Sequence, residues 1–377
     1  MRVIIVGAGL AGASVAWHLA PYADVVLVDA AAQPGTEATS QNAGMVRRMG
    51  EDPYERALAM RTHDWLCSPP PGFEGVSRRR GALLGLAHDR WHLHDAASHL
   101  TARGVEVVST DAVAAEVPVL AGSPLPFGWW LPDERVVDPI RLVHAFLGRD
   151  PTLRLGEPVT ALVERGGRVV GVRTPGGDIE GDAVVLAAGA WSGALGNLPL
   201  TPVRRTAFET EPHPLATDDH PWVWLDDVGL YARPRRGRWL LSPCEERMEP
   251  LPVARPSTGR AHDAQWQWVH ERLKTWMPAL ADVRVARSWT GLRTFAPDRR
   301  PVLGADARRP GLYWAAGLGG FGVTCSVAVG ETVAAWIRAE PTPWLAPDRV
   351  SPTRRVRAAI AGPADARGRA ARAIPAP

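Results

Sequence analysis

One arginine near the C-terminal end of the sequence occupies a place where a charge is costly. Arg293 lies in the stretch SWTGLRTFAPDRRPVLGADA, between small residues and a segment whose pattern predicts a buried strand end. A guanidinium there needs an anion, because a charge buried without a partner is heavily penalised. The residues alone leave three sources open: a carboxylate of the chain such as Asp298, a phosphate, or a substrate.

Three glycines at the other end of the chain are spaced to hold a phosphate. Gly7, Gly9 and Gly12 form the pattern GxGxxG. The first permits a tight turn, the second lets the backbone approach a pyrophosphate, and the third allows a helix to pack closely on a sheet. The N–H groups at the start of that helix favour phosphates. Asp29 ends the next apolar run, where an acid bonds ribose hydroxyls, so the sequence predicts a dinucleotide site without separating NAD from FAD.

The elements that position these residues open with a β–turn–α–β unit. Apolar periodicity predicts a strand over Val3–Val6, a helix through Leu19 and a strand over Asp24–Ala30. Two apolar runs that flank Gly166 and Gly167 predict a β-hairpin. Near the C-terminus the pattern predicts a strand, the glycine loop GLGGFGV and a helix over Val323–Ile337.

The chain divides into a discontinuous cofactor domain and a second domain made of the inserts between its pieces. We predict an α/β fold in which a Rossmann-type cofactor-binding domain joins a substrate domain with a mixed or antiparallel β-sheet. The predicted bounds are 1–60, 135–200 and 285–348 for the cofactor domain, 61–134 and 201–284 for the substrate-binding domain, and 349–377 for a loose C-terminal tail.

Composition and charge exclude several classes of protein. The hydrophobic content of 46% and the charged content of 22% are those of a soluble enzyme. A net charge of +3 is too small for nucleic-acid binding to be a leading idea. Three dispersed cysteines form no CxxC pattern, which predicts a cytoplasmic location. The first apolar run is short and cut by glycines, so it predicts neither a signal peptide nor a membrane span.

Two clusters of aromatic and imidazole side chains are further candidate sites. Tryptophans in the insert segments, which include Trp129, Trp130, Trp222 and Trp224, predict either core packing or an aromatic substrate pocket. Four histidines favour a solvated helix over a metal site, because their spacing does not place three on one helical face. These are His88, His92, His94 and His99, and no metal is predicted.

Three separated motifs give the chain a family resemblance. The stretch TEATSQNAGMVRR, the strand end AAGAWS and the loop GLGGFGV together resemble the D-amino-acid oxidase-like family of FAD-dependent oxidoreductases, the type that includes glycine oxidase. Further stretches, among them TPVRRTAF and GLYARPRRGRWLLSP, resemble a D-arginine dehydrogenase-like branch. The resemblance implies non-covalent FAD, because the covalent relatives attach the ring through a cysteine where this chain has Gly291. It implies FAD contacts from Gly7, Gly9, Leu10, Ala11, Gly12, Asp29, Ala30, Ser40, Gln41, Asn42, Ala43, Gly44, Val159, Ala188, Gly189, Trp191, Gly291, Arg293, Gly317, Gly319, Gly320, Phe321, Gly322 and Val323.

The same resemblance assigns catalytic roles to three residues. Arg293 matches the arginine that binds the substrate carboxylate, and Tyr231 matches the tyrosine that assists it. Arg205 matches a second arginine near the carboxylate or the flavin edge, although the neighbouring Arg204 is an alternative inward residue. The implied reaction moves a hydride from Cα of a free amino acid to flavin N5 and yields an imino acid, then a 2-oxo acid. The glycine loop before the last helix is expected to stabilise negative charge on the flavin.

Departures from the D-arginine pattern shape the expected substrate. Gly81 stands where that branch has an acid for the substrate guanidinium, Met45 replaces a histidine, and Met49 or Gly50 falls at a loop tyrosine. We therefore expect an apolar or aromatic amino acid of D configuration. The alternative is a secondary amine or a cyclic or N-methyl amino acid of the sarcosine, glycine or proline type. Lys274 is the only lysine and falls outside the flavin motifs, which favours a quinone-like electron acceptor over O2.

Overall fold

The computed structural model describes residues 1–50, 52–88, 91–110, 117–251 and 263–355. Its α-helices are α1 (Leu10–Leu19), α2 (Pro53–Cys67), α3 (Trp91–Thr101), α4 (Pro139–Leu147), α5 (Ser192–Gly196), α6 (Asp263–Trp276) and α7 (Ser326–Ile337). Short 3₁₀ turns cover Pro118–Leu120, Gly189–Trp191, Pro278–Leu280 and Pro347–Arg349. The strands are β1 (Arg2–Val6), β2 (Asp24–Asp29), β3 (Met45–Val46), β4 (Ser77–Arg79), β5 (Ala82–Leu86), β6 (Val108–Thr110), β7 (Phe127–Leu131), β8 (Arg135–Val137), β9 (Thr152–Leu155), β10 (Ala161–Arg165), β11 (Arg168–Thr174), β12 (Gly177–Glu180), β13 (Ala183–Leu186), β14 (Thr201–Pro212), β15 (Trp222–Leu225), β16 (Leu230–Arg235), β17 (Arg238–Ser242), β18 (Arg247–Met248), β19 (Val285–Phe295), β20 (Val302–Ala305) and β21 (Leu312–Ala316).

A six-stranded sheet carries the glycine turn. Its order is β20-β21-β13-β1-β2-β9, with parallel pairing from β21 to β9 and an antiparallel edge strand at β20. The strand residues are buried on both faces, as in sheets covered by other elements on each side. Ile5 packs with α1 and α7, whereas the neighbouring Ile4 packs with β11 and β12. The mixed α/β fold predicted from the sequence is confirmed.

A second sheet carries the arginine and tyrosine side chains. It follows the order β18-β14-β17-β16-β15-β5-β7-β6, and β19 joins it by pairing with β14 over the length of both strands. One face packs against α6, where Phe208 and Leu241 contact Val269 and Leu273. Because side chains alternate between the faces of a strand, the residues next to these in sequence face the other way.

Several local predictions match the described elements. The hairpin β10–β11 turns at Gly166 and Gly167, both of which have positive φ (56° and 75°). That backbone conformation is accessible to glycine without steric cost. The first helix ends at Leu19 as predicted, and the second strand ends at Asp29, one residue earlier than expected. The last helix begins at Ser326 and not at Val323, because the residues after the glycine loop form a turn in which Cys325 N–H donates to Phe321 O.

The start of the predicted loose tail is wrong. Val350 is fully buried in the core of the six-stranded sheet, and the Arg354 guanidinium binds both carboxylate oxygens of Asp298 at 2.6 and 2.7 Å. These contacts pack the chain against the rest of the structure as far as residue 354. The rest of that prediction, residues 356–377, lies outside the described residues. The other domain bounds stay a prediction.

Across the part of the chain that the structure covers, no helix combines the length and the apolar character needed to cross a bilayer.

Candidate active site

A long cavity joins the glycine turn of the first sheet to the arginine face of the second. It encloses about 1800 Å³ of empty space, part of which is open to solvent. The space joins a glycine turn of the kind that binds a pyrophosphate to the arginines of the second sheet, as a dinucleotide with a substrate beside it requires. Its walls contain Gly7 and Asp29 at one end and Arg205, Tyr231 and Arg293 at the other.

The glycine turn admits no side chain at two of its three positions. A methyl group added at Gly7, where φ is +109°, would lie 2.4 Å from Ala187 O, and one at Gly12 would lie 1.9 Å from Gly7 O. Gly12 therefore serves the packing of the helix on the turn and does not line the cavity. No side chain caps α1 at Gly9, although Thr39 Oγ1 accepts from Leu10 N–H at 3.1 Å. The remaining N–H groups of this helix start are available to an anion.

Asp29 fixes the turn through its carboxylate. One oxygen accepts from Ala8 N–H at 2.6 Å, and the other accepts from Ala31 N–H at 2.8 Å. Asp29 also lines the cavity. An ionised carboxylate offers about four lone-pair sites, so these two bonds leave room for ribose hydroxyls.

The glycines of the cavity wall form a cradle that side chains would fill. A methyl group added at Gly189 or Gly322 would meet no atom within 4 Å, and both residues line the cavity. A flat ring system can therefore approach the backbone closely at these positions. Together with the unpartnered amide of Gln41, the donor set and the shape fit FAD.

Most of the residues assigned to FAD by resemblance line this cavity. Those that do are Gly7, Gly9, Leu10, Ala11, Asp29, Ala30, Gln41, Asn42, Ala43, Val159, Ala188, Gly189, Trp191, Gly291, Arg293, Gly317, Gly319, Gly320, Gly322 and Val323. Besides Gly12, three assigned residues do not line it. Ser40 is exposed and its hydroxyl donates to Thr36 O at 2.6 Å, Gly44 packs on Val137, and Phe321 faces the neighbouring cavity.

Sequence reasoning missed a similar number of wall residues. They are Val6, Val28, Gly35, Thr36, Glu37, Ala38, Thr39, Arg47, Ala187, Ala190, Leu195, Ala207, Leu292, Thr294, Ala315, Ala316, Leu318 and Thr324. Many of them are next in sequence to residues assigned to FAD. Including a few more residues on each side of those motifs would have found them. Of the four tryptophans that the sequence offers to an aromatic pocket, Trp224 lies in the cavity wall, whereas Trp129, Trp130 and Trp222 do not.

Two arginines and a tyrosine share the inner face of the second sheet. Arg205 pairs with Gly291 and Arg293 pairs with Val203 across β14 and β19, which puts both arginines on one face. Tyr231 is opposite Trp224 in β15, and all four residues line the cavity. The strands therefore bring together the three residues to which the resemblance assigns catalysis.

Arg293 has no hydrogen-bonding or ion-pair partner among the described residues, and a methyl group added at Gly320 would lie 2.8 Å from its Nη1. Burial, followed by the charge of Arg205, lowers the pKa of Arg293 to about 10. The alternative of an ion pair with Asp298 is not observed, because Asp298 binds Arg354. An added anion would relieve the cost of this buried charge.

Arg205, not Arg204, faces the cavity. Its side chain is 10% exposed, and its Nη2 lies 3.8 Å from Glu246. The Nε and Nη1 atoms of Arg205 are buried without a hydrogen-bond partner. Arg204 instead forms an ion pair with Glu249. Glu246 is itself held at 2.7 Å by Arg299, so it compensates Arg205 weakly.

Tyr231 keeps its proton. Its ring is 3% exposed, and burial raises the pKa of its hydroxyl although Arg293, Arg205 and a hydrogen bond to Ser242 oppose the shift. A neutral phenol donates a hydrogen bond, which is what a carboxylate on Arg293 requires from a third group.

A second cavity adjoins the first at the two arginines. It shares Arg47, Arg205, Trp224, Arg293 and Gly320 with the first cavity. Its empty volume is about 850 Å³. Its remaining lining residues are Met49, Asp52, Glu55, Leu84, Leu93, Asp226, Cys244, Glu246, Phe295, Asp298, Arg299 and Phe321. This space begins where a group bound to Arg293 would extend away from the glycine cradle.

The residues expected to reshape the substrate pocket are only partly in these cavities. Met45 lines the first cavity and Met49 the second. Gly81 lines neither, because it packs on Trp130, where a methyl group would lie 2.8 Å from the indole ring. Gly50 likewise packs against Phe321. The expectation that Gly81 shapes the substrate pocket is therefore wrong.

Arg47 forms part of the wall between the two cavities. Its guanidinium lies 3.9 Å from the Trp224 ring centroid and 4.5 Å from that of Phe321. Thr324 Oγ1 accepts from Arg47 N–H at 3.2 Å. The stacked guanidinium is stabilised by both rings.

Arg48, the residue after Arg47, forms a buried ion pair with Glu134 behind this wall. Glu134 is fully buried, and one carboxylate oxygen accepts both Arg48 N–H at 3.1 Å and Arg48 Nε at 3.2 Å. Burial raises the pKa of Glu134 although Arg48 opposes the shift. Removing one partner of such a buried pair leaves an uncompensated charge, which is strongly destabilising.

The side chains of Lys274, His88, His94 and His99 line neither cavity. Lys274 is on α6, which packs on the opposite face of the second sheet, and it pairs with Glu271 at 3.0 Å. His94 stacks on Phe127, and His88 bonds Asp227 at 3.1 Å. Another group, His63, Cys67 and Asp133, has metal-ligand spacing within the described residues, but Arg48 and Arg135 lie beside it and disfavour a cation.

Comparisons with known proteins give the family. A family model described as FAD dependent oxidoreductase, DAO, matches residues 2–336. The chain belongs to this family of FAD-dependent oxidoreductases, whose members oxidise amino acids or amines. FAD is therefore its cofactor.

Individual relatives are distant. The chain is 26% identical to a D-amino acid dehydrogenase of Rhizorhabdus wittichii, over 89% of this chain and 95% of that one. It is also 26% identical to a glycine oxidase of Bacillus licheniformis, over 91% and 95%. The crystal structure of glycine oxidase from Geobacillus kaustophilus has the same fold, with a TM-score of 0.81, 24% identity and coverage of 94% and 99%.

Proposed function

We propose that the chain oxidises a free amino acid at Cα, with the substrate carboxylate bound by Arg293. The observation that carries this proposal is that Arg293 lines the FAD cavity without a hydrogen-bonding or ion-pair partner among the described residues. A substrate carboxylate supplies the anion, and a planar guanidinium holds it through two parallel hydrogen bonds. The neutral hydroxyl of Tyr231 and the unpartnered N–H groups of Arg205 add further donors.

The chain's residues orient the substrate. Bound FAD supplies the hydride acceptor. Arg293 and Tyr231 fix the carboxylate end, so that one face of Cα is turned towards the glycine cradle. Stacked Trp224, Arg47 and Phe321 close the wall beside it and restrict water. The neutral amine of the substrate becomes an iminium as a hydride leaves Cα, so no side chain has to remove a proton from carbon. Water then hydrolyses the iminium to a 2-oxo acid and ammonium.

We propose a D-amino acid with an apolar or aromatic side chain that extends into the second cavity. Much of the wall of this cavity is charged, but Met49, Leu84, Leu93 and Phe321 offer apolar contact there. Three of the acids in this cavity are already paired with arginines: Asp52 with Arg300, Glu246 with Arg299 and Asp298 with Arg354. A cationic side chain would have to displace these partners. The D configuration rests on the likeness to the D-amino acid dehydrogenase of R. wittichii.

A secondary amine or an N-methyl or cyclic amino acid is the second candidate. The glycine oxidase of B. licheniformis is as similar in sequence as the D-amino acid dehydrogenase. A 4-methylaminobutanoate oxidase of Paenarthrobacter nicotinovorans is also 26% identical, over 89% of this chain and 43% of that one. Such substrates would bind through the same carboxylate contact to Arg293.

Anaerobic mixing of the FAD-loaded enzyme with a panel of substrates tests both candidates. The panel contains D-, L- and N-methyl amino acids, and each D-amino acid is matched with the amine that lacks its carboxylate. We expect D-amino acids to bleach the visible absorbance of the flavin, and the matched amines to do so far more slowly. Equal bleaching by an amino acid and its decarboxylated amine would contradict carboxylate binding. Bleaching by N-methyl amino acids alone would favour the second candidate.

A further inference from the structure

Cys244 has a backbone conformation that is unfavourable for any residue with a side chain. Its φ is +52°, in the left-handed region that glycine adopts freely and most other residues avoid. The residue is 5% exposed, follows strand β17 and donates its N–H to Ser242 Oγ at 3.4 Å. Such conformations cluster at functional sites, where the surrounding structure holds them in place. A side chain kept at this position is therefore a candidate for a function.

The place of Cys244 in the fold indicates what that function is. Cys244 lines the second cavity together with Arg205 and Arg293, and it does not line the first cavity. It also packs in one cluster with Tyr231, which pairs with Ser242 across β16 and β17. The thiol is thus next to the groups proposed to bind the carboxylate, on the side towards which a substrate side chain would extend.

The size and polarity of the thiol suit a wall that excludes large groups. Cys244 is not in a disulfide, and a buried free cysteine behaves as a small apolar side chain. It exceeds glycine by one carbon and one sulfur atom. One methylene group more or less in an apolar pocket changes the discrimination between substrates by roughly 10- to 200-fold. Two heavy atoms in the cavity wall are therefore enough to select among side chains.

We propose that Cys244 is a specificity-determining residue whose thiol limits the size of the substrate side chain in the second cavity. The inference rests on the proposed function, because the substrate carboxylate must be bound to Arg293 for the side chain to reach the thiol. Glycine at this position would remove both the backbone strain and the limit on size. The cysteine narrows the pocket although its own backbone is strained.

A glycine variant tests the limit on size. In Cys244→Gly, the ratio of kcat/KM for D-tryptophan to that for D-alanine should rise about 10-fold or more, because the cavity gains room. Glycine adopts this backbone conformation freely, so the variant should fold. The dissociation constant of acetate, measured from flavin absorbance changes, should stay the same because Arg293 is unaltered. Cys67→Ala is the matched control and should leave both values unchanged, since Cys67 is exposed and lines neither cavity.

Methyl methanethiosulfonate narrows the same pocket without altering residue 244, and the Cys67→Ala protein avoids labelling of the exposed thiol. The Cys244 thiolate attacks the sulfenyl sulfur, a disulfide to a methylthio group forms, methanesulfinate leaves, and the thiol proton goes to water. Peptide mass analysis assigns the modified cysteine. After this reaction, the ratio of kcat/KM for D-phenylalanine to that for D-alanine should fall about 10-fold or more.

Two carboxylates show whether a bound side chain reaches Cys244. Saturating 3-phenylpropionate, which is phenylalanine without its amine, should slow the labelling of Cys244 about 10-fold or more. Saturating acetate should not slow it, because acetate leaves the space for the side chain empty. Binding of each carboxylate is followed separately, through the flavin absorbance.

The outcomes separate this inference from the proposed function. Absence of labelling at Cys244 would overturn the inference, and so would 3-phenylpropionate that binds without slowing the labelling. Unchanged kcat/KM ratios in Cys244→Gly and in the labelled protein would also overturn it. If neither carboxylate changes the flavin absorbance, carboxylate binding by Arg293 is contradicted, and this inference is overturned with it. If Cys244→Gly fails to fold, the labelled protein still decides.

Discussion

The side chains of Arg205 and Arg293 project from the same face of two adjacent strands. Each guanidinium makes the binding of an anion to the other more favourable. Arg205 is opposite Gly291 and Arg293 is opposite Val203. Of the described acids, Glu246 is the one that forms an ion pair with either arginine, at 3.8 Å from Arg205. Two guanidinium groups in one buried wall repel each other, so a bound carboxylate gains from both.

Replacing Arg293 should separate substrate binding from cofactor binding. In Arg293→Ala, the dissociation constant of the amino acid should rise roughly 30- to 1000-fold, since a charged bidentate contact contributes about 2–4 kcal/mol. FAD should stay bound, because most of its cavity wall is unchanged. Rapid anaerobic mixing over a range of substrate concentrations measures the constant.

Arg284→Ala is the matched control for that variant. Arg284 directly precedes the same strand, is exposed and lines neither cavity. An exposed side chain of this kind contributes little to stability or binding, so affinity and folding should both be retained. Loss of folding in Arg293→Ala with normal substrate affinity in the remaining protein would contradict a binding role.

The pKa of Arg293 predicts an alkaline limit to carboxylate binding. Burial and the charge of Arg205 lower this pKa to about 10. The protonated guanidinium binds the anion, so affinity should be constant well below pH 10 and should fall as the pH rises through that value. Tyr231, whose pKa burial raises, keeps its proton over the lower part of this range.

Butyrate is the suitable probe for this titration, because it has a carboxylate but no amine that titrates in the same range. Its dissociation constant, measured from flavin absorbance changes, should increase above pH 10. This rise of the dissociation constant above pH 10 should be absent in Arg293→Ala, because that variant should bind butyrate weakly at every pH. A dissociation constant that does not change between pH 9 and pH 11 would refute the assignment of this group.

FAD should be released when the protein is denatured. This chain has Gly291 at the position where covalent relatives have a cysteine. Among the described residues, no cysteine lines the first cavity. Acid precipitation should therefore transfer all the yellow colour to the supernatant. Colour retained in the pellet would show a covalent bond and would contradict this expectation.

The motifs that depend on local patterns were predictable from the sequence, and contacts between distant segments were not. Gly7, Gly12 and Asp29 act within one β–α–β unit, where spacing determines geometry. The stacking of Arg47 with Trp224 and Phe321 joins three segments far apart in the chain. The periodicity of apolar residues in the sequence does not predict such a contact.

Two errors have the same origin. Gly81 was placed in the substrate pocket by its position in a motif, but it packs on Trp130 outside both cavities. The tail was expected to be loose because it lacks large apolar residues, yet Arg354 binds Asp298, a carboxylate that the sequence offered to Arg293. An ion pair between distant residues is set by the tertiary fold, and single-sequence patterns do not show which acid meets which arginine.

The reduced enzyme should react slowly with O2. Lys274, the only lysine, pairs with Glu271 on the face of the second sheet opposite the cavity, so no ammonium group is near the flavin site. A free ammonium group beside the ring would favour formation of reduced oxygen anions, whereas the fixed guanidinium groups of Arg205 and Arg293 are proposed to bind the carboxylate. We expect a quinone-like dye to reoxidise the flavin much faster than air-saturated buffer does in stopped-flow mixing. Reoxidation by O2 within seconds would contradict the dehydrogenase assignment.

The substrate side chain should be apolar, and the ratio of kcat/KM for D-phenylalanine or D-methionine to that for D-arginine should exceed one. Burying a hydrocarbon side chain against Met49, Leu84 and Phe321 contributes about 1–3 kcal/mol, which corresponds to roughly 5- to 150-fold. A guanidinium in the same cavity must lose its water and compete with Arg300 for Asp52 or with Arg299 for Glu246. A ratio below one would contradict the apolar preference and would point to an acid of this cavity, such as Asp52, Glu55 or Asp226, exchanging its present partner for the cation. Glu55→Gln and Asp226→Asn would then identify the acid, because the correct variant would lose activity with D-arginine and keep its activity with D-methionine.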